Sequence, residues 1–215
     1  MKNDETIYVI GDIHGCFKMF EKLMEEISWQ PEKDKLIFLG DYIDRGPDSK
    51  EVVEYIVGLK KKYSNIRCLL GNHEICLLNY FLYKDSAPFL MNGGEKTIIS
   101  YELNNGNRIP EEHFDFFKSL ETYIELDNYY FVHAGFRPGI KIKKQEQDDL
   151  LWIRDPFISS EYDFGKRVIF GHTSFSAPLI MPNKIGLDTG AVFGNKLTCL
   201  KLPDMNFFHV EAGSV

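Results

Sequence analysis

No stretch of this chain is long and apolar enough to span a bilayer. The longest segment free of Asp, Glu, Lys and Arg runs from Val168 to Asn183 and is interrupted by His172, Pro178 and Pro182. It falls short of the roughly 20 apolar residues that a spanning helix requires. Cysteine is scarce as well: Cys16, Cys68, Cys76 and Cys199 are scattered without any C-x-x-C spacing. That pattern argues against a disulfide framework or a thiolate zinc site and for reduced thiols. Basic residues are outnumbered, 25 Lys and Arg against 32 Asp and Glu for a formal charge of −7. Nonspecific binding to nucleic acid or to an anionic membrane is therefore not expected. With only 9 Pro and 17 Gly, 44% hydrophobic and 27% charged residues, the composition also excludes disorder, collagen and coiled coil. Met1 to Glu5 is polar and runs directly into a strand-like stretch, leaving no room for the apolar segment of a secretory signal. A cytoplasmic location is expected.

What remains is 215 residues, enough to bury a substantial core without a metal or disulfide staple. Short apolar runs at Thr6 to Ile10, Lys35 to Leu39 and Ile66 to Leu70 read as strands. Between them, Phe17, Phe20, Leu23, Met24 and Ile27, then Val52, Val53, Ile56 and Leu59, recur at helical spacing. Two β-α-β units and an α/β fold follow. Glu74 to Tyr83 and Glu111 to Leu120, the latter entered through Pro110, read as later helices. Tyr129 to Val132, Arg167 to Phe170, Ile185 to Leu187 and Lys196 to Leu202 are expected to form a second, mostly antiparallel sheet. The chain reads as one domain, 1–215, with a substrate-facing insertion at about 84–125. The Gly- and Asn-rich part of that insertion, Lys84 to Arg108, is the expected lid.

Chemistry concentrates where these strands end. Thr6 to Ile10 runs into Gly11-Asp12-Ile13-His14-Gly15, and Lys35 to Leu39 into Gly40-Asp41. Ile66 to Leu70 runs into Gly71-Asn72-His73-Glu74, Tyr129 to Val132 into His133, and Arg167 to Phe170 into Gly171-His172. In open α/β sheets the carboxyl ends of strands are where ligands bind, so these residues should converge on one crevice. Asp12 and His14, two apart, point to the same side of an extended chain. Imidazole, carboxylate and amide donors without thiolate favour manganese, iron or zinc.

Gly11 to Gly15, Gly40-Asp41-Tyr42-Ile43-Asp44-Arg45-Gly46, Gly71 to Glu74, His133-Ala134-Gly135 and Gly171-His172 together resemble the phosphoprotein phosphatase family of the calcineurin-like metallophosphoesterases. Chain length and the Asn92-Gly93-Gly94 insert look most like its compact bacterial and bacteriophage lambda branch. The resemblance implies a two-sheet sandwich flanked by helices and two divalent ions, with manganese the expected metal in vitro and iron or zinc the alternatives. Asp12, His14 and Asp41 would hold one ion, and Asp41, Asn72, His133 and His172 the other. Arg45 and Arg154 would bind the substrate phosphate together with Asn72 and His73. His73 would act as general acid, oriented by Asp44. Arg154 has as its plain alternative an ion pair with Asp155 or another acid.

On this resemblance the expected activity is hydrolysis of phosphoserine and phosphothreonine, with phosphotyrosine as an extension, by in-line attack of a metal-bridging hydroxide. Partners would be phosphorylated proteins or small phosphoesters. Hydrolysis of diadenosine tetraphosphate on the same scaffold is the alternative, and a noncatalytic binding module a more distant one. Asp44-Arg45 in the second motif and Glu74 after His73 favour the protein phosphatase branch. Leu70 stands where an arginine is common in eukaryotic relatives, and no long regulatory tail follows, so eukaryotic regulatory subunits are not expected partners. Asp188 in Leu187-Asp188-Thr189-Gly190 resembles a family segment near the site, with a supporting or turn role. Asn195 replaces a second Gly, which should alter a turn and not the chemistry. His113 and His209 read as packing or surface residues, and the pairs Tyr80-Phe81, Phe116-Phe117 and Tyr129-Tyr130 as core. Lys141 to Lys144, with the acids that follow, reads as a solvated loop.

Overall fold

The computed structural model describes residues 5–215, Asn104 by its backbone alone; the polar segment before residue 5 lies outside the described residues. Strands β1 (Ile7–Ile10), β2 (Lys35–Phe38) and β3 (Ile66–Cys68) are parallel, joined by helices α1 (Phe17–Glu26) and α2 (Ser49–Lys62). The two β-α-β units expected from periodicity are therefore present. After them come α3 (Asn72–Tyr83), α4 (Ser86–Met91), α5 (Glu95–Ser100) and α6 (Glu111–Lys118). The Lys84 to Arg108 insertion is thus largely two short helices and a 3-10 turn, with Phe89 and Thr97 buried.

The second half supplies β4 (Tyr123–Glu125), β5 (Tyr129–Val132), α7 (Gln147–Trp152), α8 (Asp155–Ile158), β6 (Arg167–Phe170), β7 (Leu179–Ile180), β8 (Lys184–Gly186), β9 (Lys196–Leu202) and β10 (Asn206–Glu211). One sheet has the order β10-β9-β1-β2-β3 and the other β4-β5-β6-β8-β7. The expectation of a mostly antiparallel second sheet is corrected here. β5, β6 and β8 run parallel to one another, and only the edges β4 and β7 are antiparallel. β9 leaves that sheet altogether and pairs antiparallel with β1, Val9 opposite Leu200. The long β9-β10 hairpin closes the first sheet, an arrangement that short apolar runs alone do not reveal.

Alternation along each strand builds the layers. Ile7 and Val9 face the second sheet and pack with Ile37, Leu39, Phe131, Ile169 and Leu200. Tyr8 and Ile10, one residue out of phase, face α1, α2 and α3 with Phe20, Val53 and Leu77. The outer face of the second sheet packs Val132, Val168 and Phe170 against Leu150 and Phe157 of α7 and α8. Burial of each such large side chain stabilises the fold by about 1.5–3 kcal/mol. The result is an α-β-β-α sandwich. Lys184, fully buried, fastens α8 to it: its ammonium donates to the carbonyls of Phe157, Ile158 and Ser160 and lies 4.4 Å from the Phe157 ring centroid.

The aromatic pairs divide. Phe116, Phe117 and Tyr130 are core, whereas Phe81 is exposed, which corrects its expected burial. His113 is a packing residue bonded to the Tyr101 hydroxyl, and His209 lies exposed on β10. Lys141 to Lys144 is exposed or half-buried and forms a 3-10 turn.

Candidate metal centre

The parallel strands of both sheets deliver their following loops to the same end of the sandwich. Asp12 and His14 follow β1, Asp41 follows β2, Asn72 and His73 open α3 after β3, His133 follows β5 and His172 follows β6. All are buried. Asp41 is central: its Oδ2 lies 3.4 Å from His14 Nε2 and its Oδ1 3.4 Å from His133 Nε2. The Asn72 carboxamide oxygen lies 2.9 Å from both His133 Nε2 and His172 Nδ1. Asp12 Oδ2 accepts the His172 backbone N–H at 2.8 Å. Donor atoms of Asp41, His133 and His172 lie within 4.8 Å of one another, as do those of His14, Asp41 and His73.

Imidazole orientation follows from the second ring nitrogen. His14 Nδ1 donates to the Ile43 carbonyl and His133 Nδ1 to the Leu39 carbonyl, each at 2.8 Å. Both rings thereby turn an Nε2 lone pair toward the centre; that of His14 accepts an N–H of Arg45, which a bound ion would displace. Burial pushes the pKa of His14 down to about 3 and of His172 to about 2, and lowers that of His133. All three are neutral donors at physiological pH. Burial works to raise the Asp41 pKa, but the surrounding histidines prevail and hold it well below the usual carboxylate range.

The cluster is shaped around something it does not itself contain. Asp12 Oδ1, His73 Nε2 and His172 Nε2 are buried without a hydrogen-bond partner, a costly state for polar atoms. Glycines clear the space beside them. A Cβ at Gly171 would stand 2.1 Å from Asp12 Oδ1, and one at Gly71 2.2 Å from Asp41 Oδ1. His14, Asp41, Asp44, Arg45 and His172 all adopt positive φ, between 48° and 70°. Left-handed non-glycine residues cost about 1–3 kcal/mol each and collect where function holds them. Carboxylate, amide and imidazole donors converging on orphaned atoms fit divalent cations.

Around this centre, Asp44 Oδ2 accepts from His73 Nδ1 at 2.7 Å, and Asp44 Oδ1 accepts from Thr97 Oγ at 2.6 Å. Burial works against a charged His73, but Asp41 and the Asp44 hydrogen bond outweigh it and raise its pKa above the ordinary imidazole value. Arg45 Nη1 donates to His14 Nε2 at 2.8 Å. Arg154 is exposed and donates to Thr173 Oγ at 3.4 Å, beside His172. Among the described residues it makes no ion pair, so the alternative of pairing with Asp155 fails. Asp188 accepts from Ser174 and from the Gly190 N–H, 2.9 Å away, and so forms a turn beside Asp12 rather than entering the cluster.

Sequence reasoning missed two supports. Glu74 is fully buried, and its carboxylate accepts the backbone N–H groups of Asp41, Tyr42 and Gly71. It ties the second and third motifs together. Its position three residues into a helix that opens on glycine was the available signal. Thr97 lies in the insertion, and nothing in its local sequence marks it.

A family model described as calcineurin-like phosphoesterase matches residues 5–204. The chain belongs to that family. Among curated members, bis(5'-nucleosyl)-tetraphosphatase PrpE (asymmetrical) of Bacillus cereus strain Q1 is 30% identical over 95% of this chain and 93% of its own length. Among solved structures, a candidate diadenosine tetraphosphatase superposes with a TM-score of 0.78 at 24% identity, covering 98% of this chain and 96% of that one. A cold-active protein-tyrosine phosphatase of a psychrophilic Shewanella species gives 0.71 at 16% identity, with 98% and 79% covered. Both structures share the phosphoesterase fold. The curated relative thus carries the name of the alternative reading and not that of a lambda-type protein phosphatase. Of the motif residues expected to favour that phosphatase, Asp44 holds His73 Nδ1, Arg45 reaches His14 Nε2 and Glu74 binds the backbone of the second and third motifs.

Proposed function

We propose that this chain is a dinuclear-metal hydrolase of dinucleoside polyphosphates of the diadenosine tetraphosphate type. The observation that carries this reading is the near full-length relationship to asymmetrical bis(5'-nucleosyl)-tetraphosphatases. The site agrees with it. Asp12, His14 and Asp41 would hold one divalent ion, and Asp41, Asn72, His133 and His172 the other, with Asp41 shared. The mixed oxygen and nitrogen donors suit Mn²⁺, with iron or zinc next. When bound, such a pair neutralises phosphoryl charge and acidifies water enough for attack near neutral pH.

The residues of the chain supply the rest. Arg45 presents a planar fork that can take two phosphoryl oxygens, and its N–H already reaches the Nε2 of His14. Arg154 offers a second cation from the opposite rim, near His172. His73 turns its unpartnered Nε2 into the site while Asp44 holds Nδ1. Because Nδ1–H donates to Asp44, Nε2 carries a proton only in the imidazolium, the form that Asp41 and Asp44 favour, and there it faces where a departing oxygen would need it. With two divalent ions bound, this −7 chain would hold a cationic pocket for small anionic esters.

A phosphoserine, phosphothreonine or phosphotyrosine monoesterase is the second reading, favoured by the Asp44-Arg45 form of the second motif. The deciding experiment compares diadenosine tetraphosphate with phosphoserine, phosphothreonine and phosphotyrosine peptides, with Mn²⁺ and after chelation. A higher kcat/KM on the dinucleotide, lost on chelation, is expected; preference for a phosphopeptide would reverse the assignment.

A further inference from the structure

Phe193 stands at the tip of a 3-10 turn, Ala191–Phe193, enclosed by Gly190 (φ 72°) and Gly194 (φ 86°). The turn is fixed from below. Its backbone closes through Phe193 N–H to the Gly190 carbonyl at 3.0 Å and Gly194 N–H to the Ala191 carbonyl at 3.1 Å. The Asn195 carboxamide donates to the carbonyls of Thr189, 2.7 Å away, and Ser176, 3.1 Å away. The replacement of a second glycine by Asn195 therefore pins the turn. An apolar ring that is 65% exposed on so constrained a support is a preset surface, not a fraying loop.

Its position gives that surface a use. The Arg45 guanidinium carbon lies 5.5 Å from the Phe193 ring centroid, while the same guanidinium donates to His14 Nε2 at 2.8 Å. One side chain thus links the edge of the metal centre to the exposed ring. A phosphate held by Arg45 would carry its own nucleoside toward Phe193. The Arg45 backbone is held apart from the ring, its N–H bonded to the Gly93 carbonyl at 3.2 Å, and its guanidinium has the His14 contact besides the ring. Trp152, the other exposed aromatic at the site, turns its edge toward His172 at 6.1 Å between centroids, on the far side of the centre.

We infer that Phe193 is a specificity-determining stacking platform for the nucleobase attached to the phosphate bound at Arg45. Every base has a π face, so the platform selects a nucleotidyl group over a bare phosphoester without reading which base it is. The inference deepens the dinucleoside reading and rests on it for the substrate.

The test uses AMP and ribose 5-phosphate, which differ only in the base, as competitive inhibitors of p-nitrophenyl phosphate hydrolysis by the Mn²⁺-loaded full chain. In the unaltered protein AMP is expected to bind about tenfold more tightly than ribose 5-phosphate, within the range of one base stack. Phe193→Ala should bring the two inhibition constants within about twofold, and Phe193→Trp should restore the difference. Trp152→Ala should leave the ratio as it was. Because Phe193 is outside the core, Phe193→Leu is a second variant that keeps apolar bulk and should also lower the ratio. The inference is overturned if the unaltered protein does not prefer AMP, if Phe193→Ala weakens both inhibitors equally, or if Trp152→Ala erases the preference. If the ratios behave as expected while diadenosine tetraphosphate is not cut, the platform stands and the substrate assignment falls.

Discussion

Replacing His73 by Asn separates the chemistry of the site from its architecture. His73 is fully buried, its Nδ1 is 2.7 Å from Asp44 Oδ2, and its Nε2 has no partner. As a proton donor it is worth about 10²–10⁴-fold when the departing oxygen is a poor leaving group. An alkoxide needs that proton. A nucleotide leaving through a phosphoanhydride oxygen departs as a stable anion, so His73→Asn should cost less than about tenfold there. Glycerol 2-phosphate, p-nitrophenyl phosphate and diadenosine tetraphosphate, assayed with Mn²⁺, should therefore show a steep loss for the first and shallow losses for the other two. Asp44 also loses a buried partner, which should destabilise the fold by about 1–3 kcal/mol. For a domain of this size that lowers Tm by about 2–4 °C per kcal/mol, so a melting curve shows that the variant is folded at the assay temperature. An equal loss on all three substrates would refute the proton-donor role.

Asp41→Asn should abolish turnover and remove the Mn²⁺-dependent rise in Tm, which follows from ligand binding to the folded state alone; an unchanged rise would show that the ions bind elsewhere. Gly171→Ala drives a methyl group into Asp12 Oδ1 and should weaken metal affinity by about 10- to 100-fold, the scale for disturbing groups that orient ligands, as read by isothermal titration. Thr97→Val removes the hydroxyl that donates to Asp44 Oδ1 and should cost about 1–3 kcal/mol in denaturant unfolding, with a smaller loss of alkyl-ester hydrolysis than His73→Asn. Lys184→Met strands carbonyls that a buried ammonium satisfies and should destabilise by about 3 kcal/mol or more without altering the kcat ratio between substrates.

The candidate metal centre was legible because its donor residues are written at strand ends. A buried apolar run that breaks into Gly-Asp or Gly-His announces both the end of the strand and the donor that follows it. The parallel register of β1, β2 and β3 then carries Asp12, Asp41 and Asn72 to one edge. What could not be read depends on partners distant in sequence. Lys196 to Leu202 has the same apolar character whether it joins one sheet or the other, and only three-dimensional packing sends it to β1. Thr97 acquires its role by lying against Asp44, with Ser49 alongside. Arg45 and Asp44 would serve any phosphoryl group, so the proposed substrate class rests on relatives rather than on the motif.

Crystals grown with Mn²⁺ and measured by anomalous diffraction at the manganese edge test the central claim most directly. The account expects two peaks about 3.5–4 Å apart, one bounded by Asp12, His14 and Asp41, the other by Asp41, Asn72, His133 and His172. A single peak, or peaks on surface carboxylates with this cluster empty, would contradict it.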